Sequence, residues 1–279
     1  MRLIVISVGT SLLNNNEGER NIPGVLPLLE TFRQNKVDPG AISVQKNENG
    51  WKVKPENVEN LMSVARDFER IYFDERNIRE NINAREQGKD QLPAEISSLF
   101  LFYYNKDGNL KKNFQSDFEP DSDQEIREKD RIILLTTDTA DAVYCANIIR
   151  EMIKHVPLFN QKCKPDDQIA VIQNLDVYNA AKWTKTTPSE NGTNLSGLNA
   201  LYNYFSNLKR DIESRPGTSG IIIRTGGYKE LCANLLMIGM DRGFKTYYLF
   251  EKSYDFIVVD TVTWPKSYWQ VATHMIREI

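Results

Sequence analysis

The chain has 279 residues, of which 41% are hydrophobic and 26% are charged, as is usual for a soluble globular protein. Its formal net charge of −3 excludes a protein that coats nucleic acid non-specifically, because that function needs a broad basic surface. The composition still allows a local positive patch that binds a small nucleotide.

Six short apolar runs predict six β-strands. None of them alternates strictly between apolar and polar residues, which is typical of strands covered by helices on both faces. The first begins near the N-terminus, where we find neither a signal peptide nor an apolar stretch of membrane length, so no membrane association is expected. The runs cover residues 3–6, 132–135, 169–172, 221–223, 247–250 and 256–259.

Helix-period segments lie between several of these runs, over about 142–153, 198–212 and 231–238. Strands that alternate with helices predict an α/β, Rossmann-like, doubly wound and mostly parallel sheet. Only five residues join the last two runs, so they are expected to form an antiparallel hairpin at one edge of the sheet.

A long insertion, about 15–130, separates the first two runs. It contains helical segments over about 56–73 and 93–103, the second with Pro93 in its first turn, and an acidic loop over 106–130. We assign 1–260 to one ligand-binding domain. The tail 261–279 is expected to be an edge element or the start of a truncated effector domain.

The cysteines and histidines argue against metal and disulfide chemistry. Cys145, Cys163 and Cys232 lack C-x-x-C spacing and are expected to be reduced, mostly packed thiols of a cytoplasmic protein. With only His155 and His274 in the chain, a histidine-based metal cluster is nearly excluded. Neither a metal nor a cofactor is expected.

Three junctions between a strand and the next helix are rich in small and polar residues. In a parallel sheet such junctions lie at the carboxyl ends of the strands, where ligands bind and where helix N-termini present free N–H groups. We therefore predict a ligand site there. Its candidate residues are Gly9, Thr10, Ser11, Leu12 and Asn14 in loop 1, Thr136, Thr137, Asp138 and Thr139 in loop 2, and Arg224, Thr225, Gly226, Gly227, Tyr228 and Lys229 in loop 3.

Simpler interpretations of the same residues stay open. Thr139 can be a helix N-cap, Ser11 can cap the helix that follows it, and a Gly-Gly pair can form only a tight turn. The dinucleotide fingerprint G-x-G-x-x-G and the Walker P-loop are both absent, which disfavours an ordinary NAD or ATP enzyme.

Four segments together resemble the CARF (CRISPR-associated Rossmann fold) proteins of type III CRISPR systems, in the branch that includes stand-alone ring nucleases. The resemblance runs from residue 1 to about 260. Arg224 departs from it, because a small polar residue is more usual there, and so does the long region before Pro93. The segments are VISVGTSLLN at 5–14, PAEISSL at 93–99, LLTTDT at 134–139 and RTGGYK at 224–229.

The resemblance implies a homodimer that binds a cyclic oligoadenylate second messenger in antiviral defence, with tetra-adenylate favoured over hexa-adenylate. A symmetric ring can satisfy two identical half-sites across a two-fold axis. An effector domain, fused or associated, would then respond to the ligand.

The resemblance also implies an alternative, a metal-independent ring nuclease that cleaves the ligand by attack of a ribose 2′-hydroxyl. Lys229 would then stabilise the charge that develops on the phosphate, and Ser11 would orient the ribose or the phosphate. Whether the chain is an enzyme stays open at this point. Another nucleotide-binding Rossmann-like enzyme is a third alternative.

Overall fold

The computed structural model describes residues 1–14, 44–47, 50–54, 59, 62–63, 65–66, 69–70, 75–84, 92–111, 129–166, 169–172, 196–226, 229–249 and 253–260. The predictions for 112–128 and for the tail 261–279 lie outside these residues. The helix predicted over 56–73 lies largely outside them, although Ala65 is helical and buried in the core.

The main sheet has the order β5-β4-β1-β7-β8-β9, and β6 also pairs with β4. All of these pairings are parallel except β8–β9, which is antiparallel. The strands are β1 (Arg2–Val8), β2 (Val44–Asn47), β3 (Gly50–Val53), β4 (Asp130–Thr137), β5 (Cys163–Pro165), β6 (Ala170–Ile172), β7 (Ser219–Ile223), β8 (Lys245–Leu249) and β9 (Phe256–Val259). The helices are α1 (Ser11–Asn14), α2 (Glu75–Asn83), α3 (Ala94–Tyr103), α4 (Ala140–His155), α5 (Pro157–Asn160), α6 (Ser196–Glu213) and α7 (Lys229–Arg242).

Helices cover both faces of the sheet, as the unbroken apolar runs predicted. In β1, Ile4 and Ile6 pack into one hydrophobic cluster while Leu3 and Val5 pack into the other. Helices α3 and α4 contribute to the first cluster, and α6 and α7 contribute to the second. The Rossmann-like α/β fold with an antiparallel edge hairpin is therefore confirmed.

Two features of the strand arrangement were not predicted. The strand β5 has three residues and includes Lys164, so no apolar run marks it. It pairs with the start of β4, and β6 pairs with the end of β4, so two short strands share one position beside β4. The insertion also contains an antiparallel pair, β2–β3, which the helical expectation for that region missed.

Helix α3 is tied to the amino-terminal edge of the sheet. The Tyr103 hydroxyl donates to Asp130 Oδ2 at 2.9 Å, and Arg2 Nε donates to the same carboxylate at 3.0 Å. Asp130 is 5% exposed, so its charge is compensated almost entirely by protein groups. Burial raises the pKa of Tyr103 well above its usual value, and the nearby Asp130 adds to this effect.

Among the residues that the structure describes, no helix combines the length and the hydropathy required for a membrane span.

Replacing Asp130 with Ala should destabilise the fold by about 3 kcal/mol, because it removes the buried carboxylate that accepts hydrogen bonds from Arg2 and Tyr103. The measurement is the free energy of unfolding in urea. Asp211→Ala is the matched control: this carboxylate pairs with Arg131 and Arg215 at a more exposed position, so its loss should cost less than about 1 kcal/mol. Equal losses of unfolding free energy in the two variants would contradict a larger structural role for Asp130 than for Asp211.

Candidate ligand site at the carboxyl edge of the sheet

The three polar loops lie side by side. The strands that precede them, β4, β1 and β7, are neighbours in the sheet and run parallel, so their carboxyl ends share one edge. After β1, Leu12 of α1 packs into the hydrophobic cluster on one face, whereas α7, which follows β7, packs into the cluster on the other face. Adjacent strands whose connections diverge in this way create the crevice where open α/β sheets bind ligands.

A buried carboxylate, that of Glu95, lies beside this crevice. The residue is in the first turn of α3 and is 1% exposed. Its Oε1 accepts the backbone N–H of Gly9 at 2.8 Å, and its Oε2 accepts the hydroxyl of Ser11 at 2.5 Å. Two residues of loop 1 are therefore held by one side chain of α3.

Ser11 links loop 1 to α3 a second time. Its Oγ accepts the backbone N–H of Ala94, the first residue of α3, at 3.3 Å. The sequence alternative for Ser11 was a cap of the helix that follows it. Instead its hydroxyl serves the N-terminus of a helix more than 80 residues away. That helix end also favours the negative charge of Glu95 through its dipole.

Loop 3 packs against the same carboxylate. A Cβ atom at Gly226 would overlap the Glu95 side chain, so any larger residue would force the buried carboxylate to move. The carbonyl of Gly226 accepts the Ser7 hydroxyl, and it accepts the Cys232 thiol at 3.3 Å. Gly226 thus serves as more than a tight turn: loops 1 and 3 meet at Glu95.

Three threonines of the predicted site use their hydroxyls inside the protein. Thr136 Oγ1 donates to the Val8 carbonyl at 3.2 Å, which ties the end of β4 to the end of β1. Thr225 Oγ1 accepts the N–H of Leu249 at 2.9 Å. Thr139 is the N-cap of α4, which confirms the capping alternative for that residue.

Arg224 is half-buried and lies over the ring of Tyr248, with 4.9 Å from Cζ to the ring centroid. Burial lowers the pKa of its guanidinium, and the nearby Cys232 and Tyr248 work against this shift. Within the described part of the chain, its Nε has no hydrogen-bond partner. Arg224 thus places a half-buried cation in loop 3.

The other predicted site residues divide into four pairs. Leu12 and Thr137 are buried, and Leu12 belongs to the core. Thr10 and Asp138 are partly exposed at the edge of the sheet. Asn14 ends α1 and Lys229 begins α7, as expected for Lys229 from the sequence, whereas Gly227 and Tyr228 lie outside the described residues.

The site is shaped by a carboxyl group in an unusual electrostatic environment. Burial raises the pKa of Glu95, and the hydrogen bonds from Ser11 and Gly9 oppose that rise. Across the described ranges, no three His, Cys, Asp or Glu side chains lie close enough together to hold a metal ion. The described polar groups at this edge include hydroxyls, backbone amides, the Glu95 carboxyl group, Arg224 and the start of α7.

Glu95 lies in the segment 93–99 that carries the family resemblance, but it was not among the predicted site residues. One signal was available, because Glu95 is the single charged residue of α3 and nine of its ten residues are buried. A lone carboxylate in an apolar helix needs buried partners. Those partners are 84 to 86 residues away in sequence, which is why the pattern did not reveal them.

A comparison with protein families gives one match. The family model described as CRISPR-associated protein (Cas_APE2256) matches residues 91–261. The chain belongs to this family. The match to Cas_APE2256 includes α3 with Glu95 and the loops that follow β4 and β7. A search of curated proteins returned no match.

Gly226→Ala should destabilise the protein by about 2 kcal/mol, because the added methyl group overlaps Glu95. In the Glu95→Ala background the same change should cost clearly less, since the overlapping atoms are gone. Urea unfolding of the four proteins of this double-mutant cycle measures the coupling. Gly220→Ala is the matched control: a methyl group there meets Phe244 and Ile212 instead, so its cost should not depend on residue 95. Additive costs for Gly226→Ala and Glu95→Ala would contradict the contact.

Glu95→Gln should change how stability depends on pH. A raised pKa in the folded state means that the folded protein holds the proton more tightly. The protonated Glu95 therefore contributes fully to the free energy of unfolding below its unfolded-state pKa of about 4.3. That contribution is lost as pH rises through its folded-state pKa. Relative to wild type, the Gln variant should gain stability between pH 4 and pH 8. Urea unfolding across this range measures the free energy of unfolding of both proteins. A stability of the Gln variant relative to wild type that stays constant or falls with pH would contradict the raised pKa of Glu95.

Proposed function

We propose that this protein binds a cyclic oligoadenylate at a homodimer interface and acts as a sensor or regulatory domain in type III CRISPR antiviral defence. The observation that carries the proposal is the meeting of loops 1, 2 and 3 at the switch point of the sheet, in a chain of a CRISPR-associated family. The CARF resemblance of the same loops supplies the ligand class. A cytoplasmic location belongs to the proposal.

The chemistry of the crevice suits an anionic ligand that carries sugars. Arg224 supplies a cation, and Lys229 stands at the first position of α7, where helix N–H groups also favour anions. A lysine opposes the helix dipole at that position, and a bound phosphate would offset the repulsion. Ser11 and Thr10 lie at the same edge as hydrogen-bonding groups for ribose.

The proposed homodimer fits the symmetry of the proposed ligand. One protomer places its three loops along a single edge, which offers a half-site for a ring that has four or six equivalent nucleotides. Two such edges related by a two-fold axis would bind both halves of one ring. We expect cyclic tetra-adenylate to bind more tightly than cyclic hexa-adenylate, with one ring for two chains. A fused or associated effector domain would receive the signal.

A second candidate function is cleavage of the ring. The Ser11 hydroxyl is held by the Glu95 carboxylate at 2.5 Å, so its position is fixed before a ligand arrives. Fixed positioning of a ribose, together with charge stabilisation by Lys229, is the chemistry of a metal-independent ring nuclease.

Lys229→Ala should weaken binding of cyclic tetra-adenylate by about tenfold or more, because it removes a charge-assisted phosphate contact. Isothermal titration calorimetry gives the affinity and the number of rings per chain. Lys209→Ala is the matched control: this lysine pairs with Glu213 on the exposed surface of α6, so affinity should not change. Unchanged affinity in the Lys229 variant would place the site elsewhere, and binding of a mononucleotide instead of either ring would favour another nucleotide-binding enzyme.

Cleavage is tested by incubating stoichiometric protein with cyclic tetra-adenylate and EDTA and separating the products by chromatography. Linear products that disappear in both Ser11→Ala and Lys229→Ala support the nuclease. Intact ligand after long incubation leaves binding alone as the function.

A further inference from the structure

The hydrogen bonds of Ser11 define which ligand atoms its hydroxyl can bind. A serine hydroxyl has one hydrogen to donate and two lone pairs to accept with. Ser11 donates its hydrogen to Glu95 Oε2 and accepts the Ala94 N–H with one lone pair. One lone pair remains, and Ser11 is partly exposed, so in this arrangement its hydroxyl can serve a ligand only as an acceptor.

The Gly9 amide is used in the same way. Its N–H is donated to Glu95 Oε1 at 2.8 Å. Two donors of loop 1, the Ser11 hydroxyl and the Gly9 amide, therefore point into the protein towards one carboxylate. A phosphate oxygen accepts hydrogen bonds and cannot donate them, so neither group suits it. A ribose hydroxyl can donate, and it matches the free lone pair of Ser11.

We propose that Glu95 is a positioning residue that makes Ser11 a hydrogen-bond acceptor and thereby directs loop 1 to a ribose hydroxyl of the ligand rather than to a phosphate. The inference rests on the proposed function, since it names the part of the nucleotide that this edge recognises. Phosphates are left to loop 3, where Arg224 and the start of α7 lie.

A neutral amide at residue 95 should reverse the polarity of Ser11. In Glu95→Gln the Oε1 atom still accepts the Gly9 N–H, while Nε2 donates to Ser11 Oγ. Together with the Ala94 N–H, this fills both lone pairs of Ser11 and releases its hydrogen towards the crevice. The serine then offers a donor, which a sugar ring oxygen or a phosphate oxygen can accept in place of a ribose hydroxyl.

The test compares two ligands on two proteins by calorimetry: cyclic tetra-adenylate and its fully 2′-deoxy analogue, with wild type and with Glu95→Gln. Wild type should lose about tenfold or more in affinity for the deoxy ligand, because the Ser11 lone pair is left without a partner. The Gln variant should lose less than about threefold. Changes in sugar pucker affect both proteins equally and cancel in the ratio.

Two further variants separate hydrogen bonding from charge and folding. Glu95→Asp keeps the charge but shortens the side chain away from Ser11. Its deoxy penalty, the loss of affinity for the 2′-deoxy ligand, should therefore also be smaller than that of wild type. This variant serves as the test if the Gln variant does not fold. Glu213→Gln, which changes an exposed carboxylate on α6, should keep the wild-type penalty.

Two negative results of this binding experiment would have different meanings. Equal deoxy penalties in wild type and in a folded Glu95 variant would overturn the role of Glu95 while leaving the proposed ligand intact. Absence of binding between wild type and either cyclic ring would instead overturn the proposed function.

Discussion

The site depends on one carboxylate that is enclosed by protein. Burial makes the charged form of Glu95 unfavourable, and the structure compensates it with the Gly9 amide, the Ser11 hydroxyl and the N-terminus of α3. Each compensating group belongs to a segment that must be held in place for the group to reach the carboxylate. The same interaction that stabilises the buried charge therefore orders loop 1, and the glycine at 226 allows loop 3 to pack against it.

Helix α3 carries this constraint across the sheet. Its first turn holds Glu95 at the carboxyl edge, and its last residue, Tyr103, bonds to Asp130 at the amino-terminal edge. Asp130 in turn binds Arg2, so the starts of β1 and β4 are joined to the end of α3. The helix is thus fixed at both ends, and the Glu95 carboxylate keeps its position relative to the strands that precede the loops.

Much of this arrangement could be predicted from local patterns. Unbroken apolar runs identified the buried strands, and the polar junctions identified the loops that share one edge. Those local patterns did not predict the hydrogen-bond partners of individual side chains. Thr136 and Thr225 were predicted to face a ligand, yet their hydroxyls bond to Val8 and Leu249 from other strands. Gly226 was predicted to be a site residue. Glycine is favoured there because of its contact with the Glu95 side chain, which joins distant parts of the chain. Such contacts exist only after the sheet has assembled, so spacing in sequence does not encode them.

In the proposed site, ribose and phosphate are recognised by different elements of the crevice at loops 1 and 3. A crystal structure of the protein with cyclic tetra-adenylate would test this most directly. We expect one ring on a two-fold axis between two chains, with a ribose hydroxyl within hydrogen-bond distance of Ser11 Oγ and with phosphates at Arg224 and the start of α7. A ring bound at the opposite edge of the sheet, or a phosphate oxygen placed on Ser11 while Glu95 keeps its bond to that hydroxyl, would contradict the account.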